Sequence, residues 1–263
     1  VSKSVIAVSL SHSCFAHNSA KQHGGGIYID QSTFLNMSHI VLMHNKAKQY
    51  GGCVYSYKIY NLNIHNSHLL QGDAQYGAGF YGEENTIQTI FHCYMIKNKV
   101  KIDGGGFYGW EVQVSVLRNC TLMGNTGSNK GGSLYIKHGR SLNIKYCMFK
   151  NSYSDFQGGL SVNSLKTCAV LNSYFIKNKC VKLGGGAGIH DVTYFNVRNC
   201  TFLFNIANRN GGGIYINNIL KYILITDSTF DNNKAHVLGG GLYVYQSVML
   251  AVIYRCLLLD NRA

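Results

Sequence analysis

Seven tyrosines at nearly constant spacing are the first residues of this chain that could take part in recognition. Each follows a cluster of glycines and stands between apolar or small residues, as Tyr28 does between Ile27 and Ile29. Because side chains of a strand alternate between two faces, these tyrosines should point away from the core as an exposed aromatic ladder. The ladder either only stacks on itself, or also offers a flat contact face to a glycan, a protein or another copy of the chain. Its members are Tyr28, Tyr55, Tyr81, Tyr108, Tyr135, Tyr215 and Tyr243.

Lysines form a second set, the basic edge, beside the asparagines that mark each repeat. With a net charge of +13, the chain suits polyanionic partners such as acidic glycans. The alternative is a solvated rim, which the interruptions at Asp73 and Asp155 favour. Aromatic residues do not interleave with the lysines in the nucleic-acid-binding manner, so we predict no dedicated nucleic-acid binding. The set consists of Lys46, Lys48, Lys97, Lys99, Lys101, Lys177 and Lys179, with Lys182 and Lys234 in related positions.

Carboxylates are too few for an evident hydrolytic site. The chain has eleven acidic residues, of which Glu83 and Glu84 are the only neighbouring pair of glutamates. Hydrolysis by paired carboxylates would need acidic residues at equivalent positions of nearby repeats, and we expect no such cluster. The glycine clusters also lack the lysine of a phosphate-binding loop. The sequence therefore predicts a non-enzymatic protein with no catalytic residue and no cofactor.

Histidines and cysteines recur at equivalent positions. His12 and His39 share one position of the repeat, and His17 and His44 share another. These imidazoles lack nearby carboxylates to orient them, so we expect no metal site.

Cys93, Cys120 and Cys147 occupy one inward position of the repeat. Serines replace them in other repeats, which indicates small buried residues and reduced thiols rather than disulfides. The sequence also contains three N-x-S/T sequons, which are possible glycosylation sites, at Asn36, Asn119 and Asn199.

A constant repeat must position all these residues. The last residue of each glycine cluster recurs every 26 to 28 residues, and an asparagine that follows an apolar residue by three places recurs in phase with it. Between the markers, apolar and polar residues alternate with the period of a strand, and no segment has helical periodicity. A repeat of this length, made of strands and turns, predicts a solenoid.

The predicted fold is all-β: a right-handed parallel β-helix of about ten coils, with roughly 27 residues per coil. We expect residues 1–263 to form a single β-solenoid domain that is a piece of a longer repeat array. Ile64, Ile90 and Leu117 should then line one interior wall. Asparagine suits the turns, because it tolerates left-handed backbone and its amide can bond to the same amide one coil away. No run of 18 apolar residues is present, so we predict no membrane span.

Two motifs of the repeat carry a resemblance to a known family. F-x-x-N occurs at Phe15–Asn18, Phe175–Asn178, Phe202–Asn205 and Phe230–Asn233, in phase with G-G-G-[IL]-Y. Together they resemble the FxxN and GGA[ILV] repeats of the chlamydial polymorphic outer-membrane proteins, although glycine stands here where that motif has alanine.

The resemblance implies a non-enzymatic, surface-exposed β-helix that acts as an adhesin, located outside the cell or on its surface. Its expected partners are surface or matrix proteins, or acidic glycans. Two alternatives stay open: a polysaccharide-binding or polysaccharide-cleaving β-helix, and a subunit of an extracellular filament that associates with itself end to end or laterally.

Overall fold

A computed structural model describes residues 5–247 and 249–263 of the chain. Regular structure in these residues consists of strands, numbered β1–β33 along the chain, and each strand pairs in parallel with its equivalents in neighbouring turns. One sheet has ten strands of three residues each. They are β2 (Cys14–Ala16), β6 (Val41–Met43), β10 (His68–Leu70), β14 (Tyr94–Ile96), β18 (Thr121–Met123), β20 (Met148–Lys150), β23 (Tyr174–Ile176), β26 (Thr201–Leu203), β29 (Thr229–Asp231) and β33 (Leu257–Leu259).

The largest sheet has fifteen strands in two rows that merge along the solenoid. The row that begins after the glycine clusters contains β4 (Ile27–Asp30), β8 (Val54–Tyr57), β12 (Phe80–Glu83), β16 (Phe107–Trp110) and β31 (Leu242–Ser247). The other row contains β1 (Val5–Ser11), β5 (Ser32–Ser38), β9 (Asn61–His65), β13 (Ile87–Phe91), β17 (Val114–Arg118) and β32 (Leu250–Tyr254). Four long strands run through both rows: β19 (Leu134–Lys145), β22 (Leu160–Leu171), β25 (Ala187–Arg198) and β28 (Ile214–Thr226).

Two small sheets of four strands each complete the turns. The first contains β3 (Ser19–Ala20), β7 (Lys46–Ala47), β11 (Asp73–Tyr76) and β15 (Lys99–Asp103). The second contains β21 (Tyr153–Ser154), β24 (Lys179–Cys180), β27 (Ile206–Ala207) and β30 (Lys234–Ala235).

The strand register confirms the predicted parallel β-helix. Ile90 pairs with Ile64 on one side and with Leu117 on the other, and all three are fully buried. The ten strands of the ten-stranded sheet are separated by nine steps, so the solenoid has about nine turns rather than about ten coils. At about 4.8 Å per step, the stack is about 43 Å long.

The core is a single apolar column that runs through the stack. It is filled by one residue of each of the first nine strands in the ten-stranded sheet and by alternate residues of the fifteen-stranded sheet. Phe149, Phe175, Phe202 and Phe230 stack with ring centroids 4.6 to 4.8 Å apart. Residues about 27 apart therefore do lie over one another, as the period predicts.

The asparagine markers form a buried ladder. Asn178 donates from its side-chain amide to Oδ1 of Asn205 at 3.1 Å, and Asn205 donates in the same way to Asn233 at 2.9 Å. This confirms the expected amide ladder, but the expectation of left-handed backbone at the markers is wrong. The left-handed residue is the one before each marker, such as Lys177 with φ 54° or Phe204 with φ 55°. The turn there directs the asparagine inward, where its amide satisfies buried backbone groups.

The glycines of each cluster are required for two different geometric reasons, a left-handed backbone conformation and a close approach of two backbones. Gly51 has φ 65°, a conformation that L side chains rarely adopt. At Gly52, a Cβ atom would lie 2.6 Å from the carbonyl oxygen of Ala78 in the next turn. The first glycine therefore makes the bend, and the second allows two backbones to approach closely.

Candidate functional site

The tyrosine ladder is stacked as predicted except between Tyr108 and Tyr135, whose rings meet edge to face, and most of the ladder is not exposed. Tyr81 and Tyr108 are parallel to within 3° with ring centroids 4.9 Å apart. Tyr28 is 50% exposed, whereas Tyr108 is only 3% exposed. The buried members are Tyr55, Tyr81, Tyr108, Tyr135 and Tyr215, and Tyr243 is half-buried. The prediction of an exposed ladder is therefore wrong for five of the seven tyrosines, although all of them point away from the apolar core.

A second row of side chains covers the first half of the ladder. The residue before each glycine cluster folds back over the tyrosines: the ring of His23 lies 5.1 Å from that of Tyr55, and Tyr50 lies 4.8 Å from Tyr81. The left-handed glycine that follows makes this reversal possible. Burial raises the pKa of Tyr81 and Tyr108. The tyrosines therefore form a second core outside the solenoid wall.

The ladder is interrupted where one glutamine replaces a glycine. Gln157 stands in place of the first glycine of its cluster, and its buried side chain occupies the space left by Ser161 and Gly188 in the tyrosine column. Its Oε1 accepts a hydrogen bond of 3.0 Å from Ser161, and its Nε2 lies 3.1 Å from Nε2 of His190. Burial lowers the pKa of His190 to about 4.

The basic edge, in contrast, is exposed at each of its seven lysines: Lys46, Lys48, Lys97, Lys99, Lys101, Lys177 and Lys179. Lys46 pairs with Asp73 at 3.5 Å. Among the residues that the structure describes, Lys46 is the one member of this set within ion-pair distance of a carboxylate. Most of the edge therefore keeps its charge available to a partner.

Exposed aromatic rings lie beside part of this edge. Lys177 and Lys179 line a groove of about 470 Å³ together with Tyr153, Phe204 and Ile206. Tyr153 is 45% and Phe204 is 43% exposed. This pairing was not predicted from the sequence, because its aromatic rings lie in the two columns that flank the buried asparagines and not in the tyrosine column.

The glutamates also form a group that the sequence analysis missed. Glu84 and Glu111 occupy the same left-handed turn position one turn apart, with the amide of Glu84 bonded to the carbonyl of Trp110 at 2.9 Å. The expectation of no acidic residues at equivalent positions of adjacent turns is therefore wrong. The 27-residue separation of these glutamates was the available signal.

Glu83, the last residue of β12, directly precedes Glu84 and completes this group. It accepts a hydrogen bond of 2.8 Å from the hydroxyl of Tyr55, and burial raises its pKa. Glu84 and Glu111 line a shallow groove of about 690 Å³ whose other end is formed by Arg140 and Lys166.

The paired histidines stack but do not converge on a common point. The ring centroids of His12 and His39 are 4.7 Å apart, and those of His17 and His44 are 4.8 Å apart. In the described residues, no group of three or more His, Cys, Asp or Glu side chains is placed to hold a metal ion.

The cysteines of the inward column are buried thiols. Cys120 points its sulfur at the carbonyl of Ile90 at 3.4 Å, and Cys93 and Cys147 lie one turn away on either side. All nine cysteines of the chain are free in this structure. Burial raises the pKa of Cys200 in the same column, and of Cys168 in another inward column, to about 12, which makes these two thiols unreactive.

The three sequons differ in accessibility. Asn119 and Asn199 are exposed, have φ of 53° and 50°, and share one turn column three turns apart. Asn36 is half-buried within β5. The geometry therefore suits modification at Asn119 and Asn199 better than at Asn36.

Comparison with known proteins finds one family. The model of the Chlamydia polymorphic membrane protein repeat matches residues 227–245. This segment contains Phe230, Asn233 and the glycine cluster that ends at Gly241. No curated protein matches the chain, and no solved structure matches it.

The repeat also bears on where the protein resides. A repeat of this family suggests an outer-membrane or surface protein, and a β-solenoid is consistent with a structural, adhesin-like role there. The described residues include no helix long and apolar enough to cross a membrane. The chain is a parallel β-helix whose repeat resembles that of the Chlamydia polymorphic membrane proteins.

Proposed function

We propose that the protein is a non-enzymatic structural and adhesive solenoid of the cell surface, and that its contacts with acidic glycans are made by the basic edge. The observation that supports this most is the exposure of the edge lysines on a rigid stack of about nine turns. Regular strand pairing fixes the spacing of side chains along the rod, and long-range attraction between opposite charges favours encounter with polyanions.

The contact surface is therefore different from the one suggested by the tyrosines alone. Tyr81 and Tyr108 are occupied by packing, so their substitution would change stability before it changed binding. The lysines lie outside both cores, and their substitution leaves the packing intact. This separation lets an adhesion experiment distinguish contact from folding.

Adhesion of beads that carry the folded chain to cultured cells tests the proposal. Binding should fall at least tenfold when the edge lysines are replaced by glutamate, and enzymatic removal of acidic glycans from the cells should have the same effect. A matched variant with an equal number of charge reversals among arginines and lysines far from the edge, such as Arg140 and Lys166, should retain most of the binding. Equal loss in both variants would contradict the role of the edge.

A second candidate function is favoured by the stacked glutamates. Glu84 and Glu111 lie one turn apart in an open groove, and Glu83 is partly buried beside them. Two carboxylates with different environments are the arrangement used for acid–base cleavage of glycans. Release of reducing sugar ends from a polysaccharide by the chain, with loss of this release in Glu83→Gln or Glu111→Gln, would establish this function. No release from a broad polysaccharide set would support the non-enzymatic proposal.

A further inference from the structure

The basic edge contains the same four residues twice. The segment I-K-N-K occurs at residues 96–99 and again at 176–179. In both copies the asparagine is buried in the ladder, and the two lysines project on either side of it. We call Lys97 and Lys99 the first lysine pair, and Lys177 and Lys179 the second lysine pair.

The two pairs lie in line along the solenoid axis. Lys99 is bridged to Thr126, Thr126 to Tyr153, and Tyr153 to Lys179, so three turns separate equivalent lysines. At about 4.8 Å per turn, the pairs are about 14 Å apart. The residues in the same two columns between them are Gly124, Thr126, Asn151 and Tyr153. The path from one pair to the other therefore carries no negative charge.

The second lysine pair differs from the first in its neighbours. Tyr153 lies beside Lys179, and Phe204 lies beside Lys177, on opposite sides of the groove. None of the four lysines is within ion-pair distance of a carboxylate in the described part of the chain. This end of the path thus combines free positive charge with exposed ring faces.

These features select the chemistry of a ligand. A small anion is too short to contact both pairs, whereas a linear polyanion contacts both at once. Sugar rings that have one apolar face and charged substituents fit a groove that contains both lysines and aromatic side chains. Single-stranded nucleic acid normally requires successive aromatic rings along its path, and here the rings are confined to one end.

We propose that a linear anionic polysaccharide lies along this edge, with its charged groups on both lysine pairs and one sugar ring against Tyr153 and Phe204. This deepens the proposed function, on which it rests, by naming the site and the ligand class. Simultaneous contact with two pairs makes the second contact intramolecular, so affinity should rise sharply once the ligand spans both.

Size-fractionated heparin oligosaccharides, titrated calorimetrically into the full chain, test the proposal. Oligosaccharides longer than about 14 Å, the three-turn separation of the pairs, should bind at least tenfold more tightly than shorter ones. The double variant Lys97→Ala/Lys99→Ala should abolish this length advantage and leave the binding of short oligosaccharides at the second pair. The double variant Lys177→Ala/Lys179→Ala should abolish both the length advantage and the binding of short oligosaccharides. The control Arg140→Ala/Lys166→Ala, which also removes two exposed positive charges but lies away from the basic edge, should change affinity less than twofold.

The aromatic contact has its own test. Tyr153→Ala/Phe204→Ala should weaken binding of short oligosaccharides about fivefold to twentyfold, whereas Tyr174→Ala, an exposed tyrosine outside the groove, should not. Double-stranded DNA provides a polyanion without accessible sugar faces. If DNA binds as tightly and responds to the same lysine variants, or if affinity does not depend on length, the proposal is overturned. If beads that carry the chain still adhere to cells but these variants do not change oligosaccharide affinity, this inference fails and the adhesive function stands.

Discussion

At the scale of single residues, the asparagine ladder shows how one side chain supports several turns. Asn205 donates to the carbonyl of Phe175 at 2.8 Å and to Asn233, while its Oδ1 accepts from both the backbone and the side chain of Asn178. One amide thus satisfies buried polar groups of three neighbouring turns. Loss of a buried partner costs more than the net value of a hydrogen bond, because the remaining groups are left without water.

We therefore expect Asn205→Ala to lower the free energy of unfolding by about 2–4 kcal/mol. Asn208→Ala, which changes an exposed asparagine in the same turn, should lower it by less than about 0.5 kcal/mol. Chemical denaturation followed by circular dichroism measures both. Similar values for the two variants would show that the ladder contributes little to stability.

His190 gives a pH dependence with a defined sign. Its pKa is lowered to about 4 in the folded chain, from 6.5, so the unfolded chain binds a proton more readily. The stabilising effect of the neutral ring is therefore complete above pH 6.5 and is lost as the pH falls toward 4. The full effect is at most about 3 kcal/mol.

His190→Asn should remove this part of the pH dependence, since Asn163 and Asn217 occupy the same column in the adjacent turns. Between pH 7.5 and pH 4.5, the melting temperature of the wild type should fall further than that of His190→Asn, because only the wild type has this linked protonation. His68→Asn, at an exposed position, serves as the control. A wild-type melting temperature that falls no faster than that of His190→Asn below pH 6.5 would contradict this account.

At the scale of elements, the strands after the glycine clusters have a buried layer on each face. Their inward residues join the apolar core, and their outward tyrosines join the cluster of Tyr55, Tyr81, Tyr108 and Tyr135. Strands of this kind stabilise the solenoid through both of their faces, because each face buries side chains. The ten-stranded sheet, in contrast, buries only the middle residue of each of its eight inner strands.

Truncation of two tyrosines in the same column tests this difference. Tyr108→Ala should lower the free energy of unfolding by about 3–5 kcal/mol, as expected for a large buried ring. Tyr28→Ala removes a ring that is half exposed and should cost less than about 1.5 kcal/mol. Thermal and urea unfolding measure the two values. If both variants were equally mild, the tyrosines would not form a second core.

At the scale of the whole molecule, each turn contacts only the turns before and after it. Strand pairing is confined to neighbouring turns throughout the described residues. The stability of such a stack is approximately a sum of turn and interface contributions. The number of turns can therefore change without a change of fold, provided that the register is kept.

Deletion of residues 187–213 removes one complete turn and joins Gly186 to Ile214, which restores a glycine cluster followed by Ile-Tyr-Ile. We expect a folded protein that is shorter by about 4.8 Å, with circular dichroism of unchanged shape. Deletion of residues 187–199, about half a turn, should abolish cooperative unfolding because the columns no longer align. Small-angle scattering and thermal unfolding test both; a folded half-turn deletion would contradict the stacking model of stability.

The sequence by itself determined the period, the parallel strands and the inward columns. These follow from local alternation and from repetition, which place Ile64, Ile90 and Leu117 on one wall whatever the rest of the chain does. It also placed the lysines outside the apolar core, since charged side chains are rarely buried without partners.

The tertiary structure alone decided which side chains outside the solenoid wall are buried and which of them contact each other. Alternation shows that Tyr81 points away from the core, but only the path of the preceding turn places Tyr50 over it. In the same way, the groove between Tyr153 and Phe204 depends on three successive turns that lie side by side, and Glu84 meets Glu111 only in the stack. Periodicity reports the face of a strand on which a side chain lies, whereas its burial depends on the segments that pack against that face.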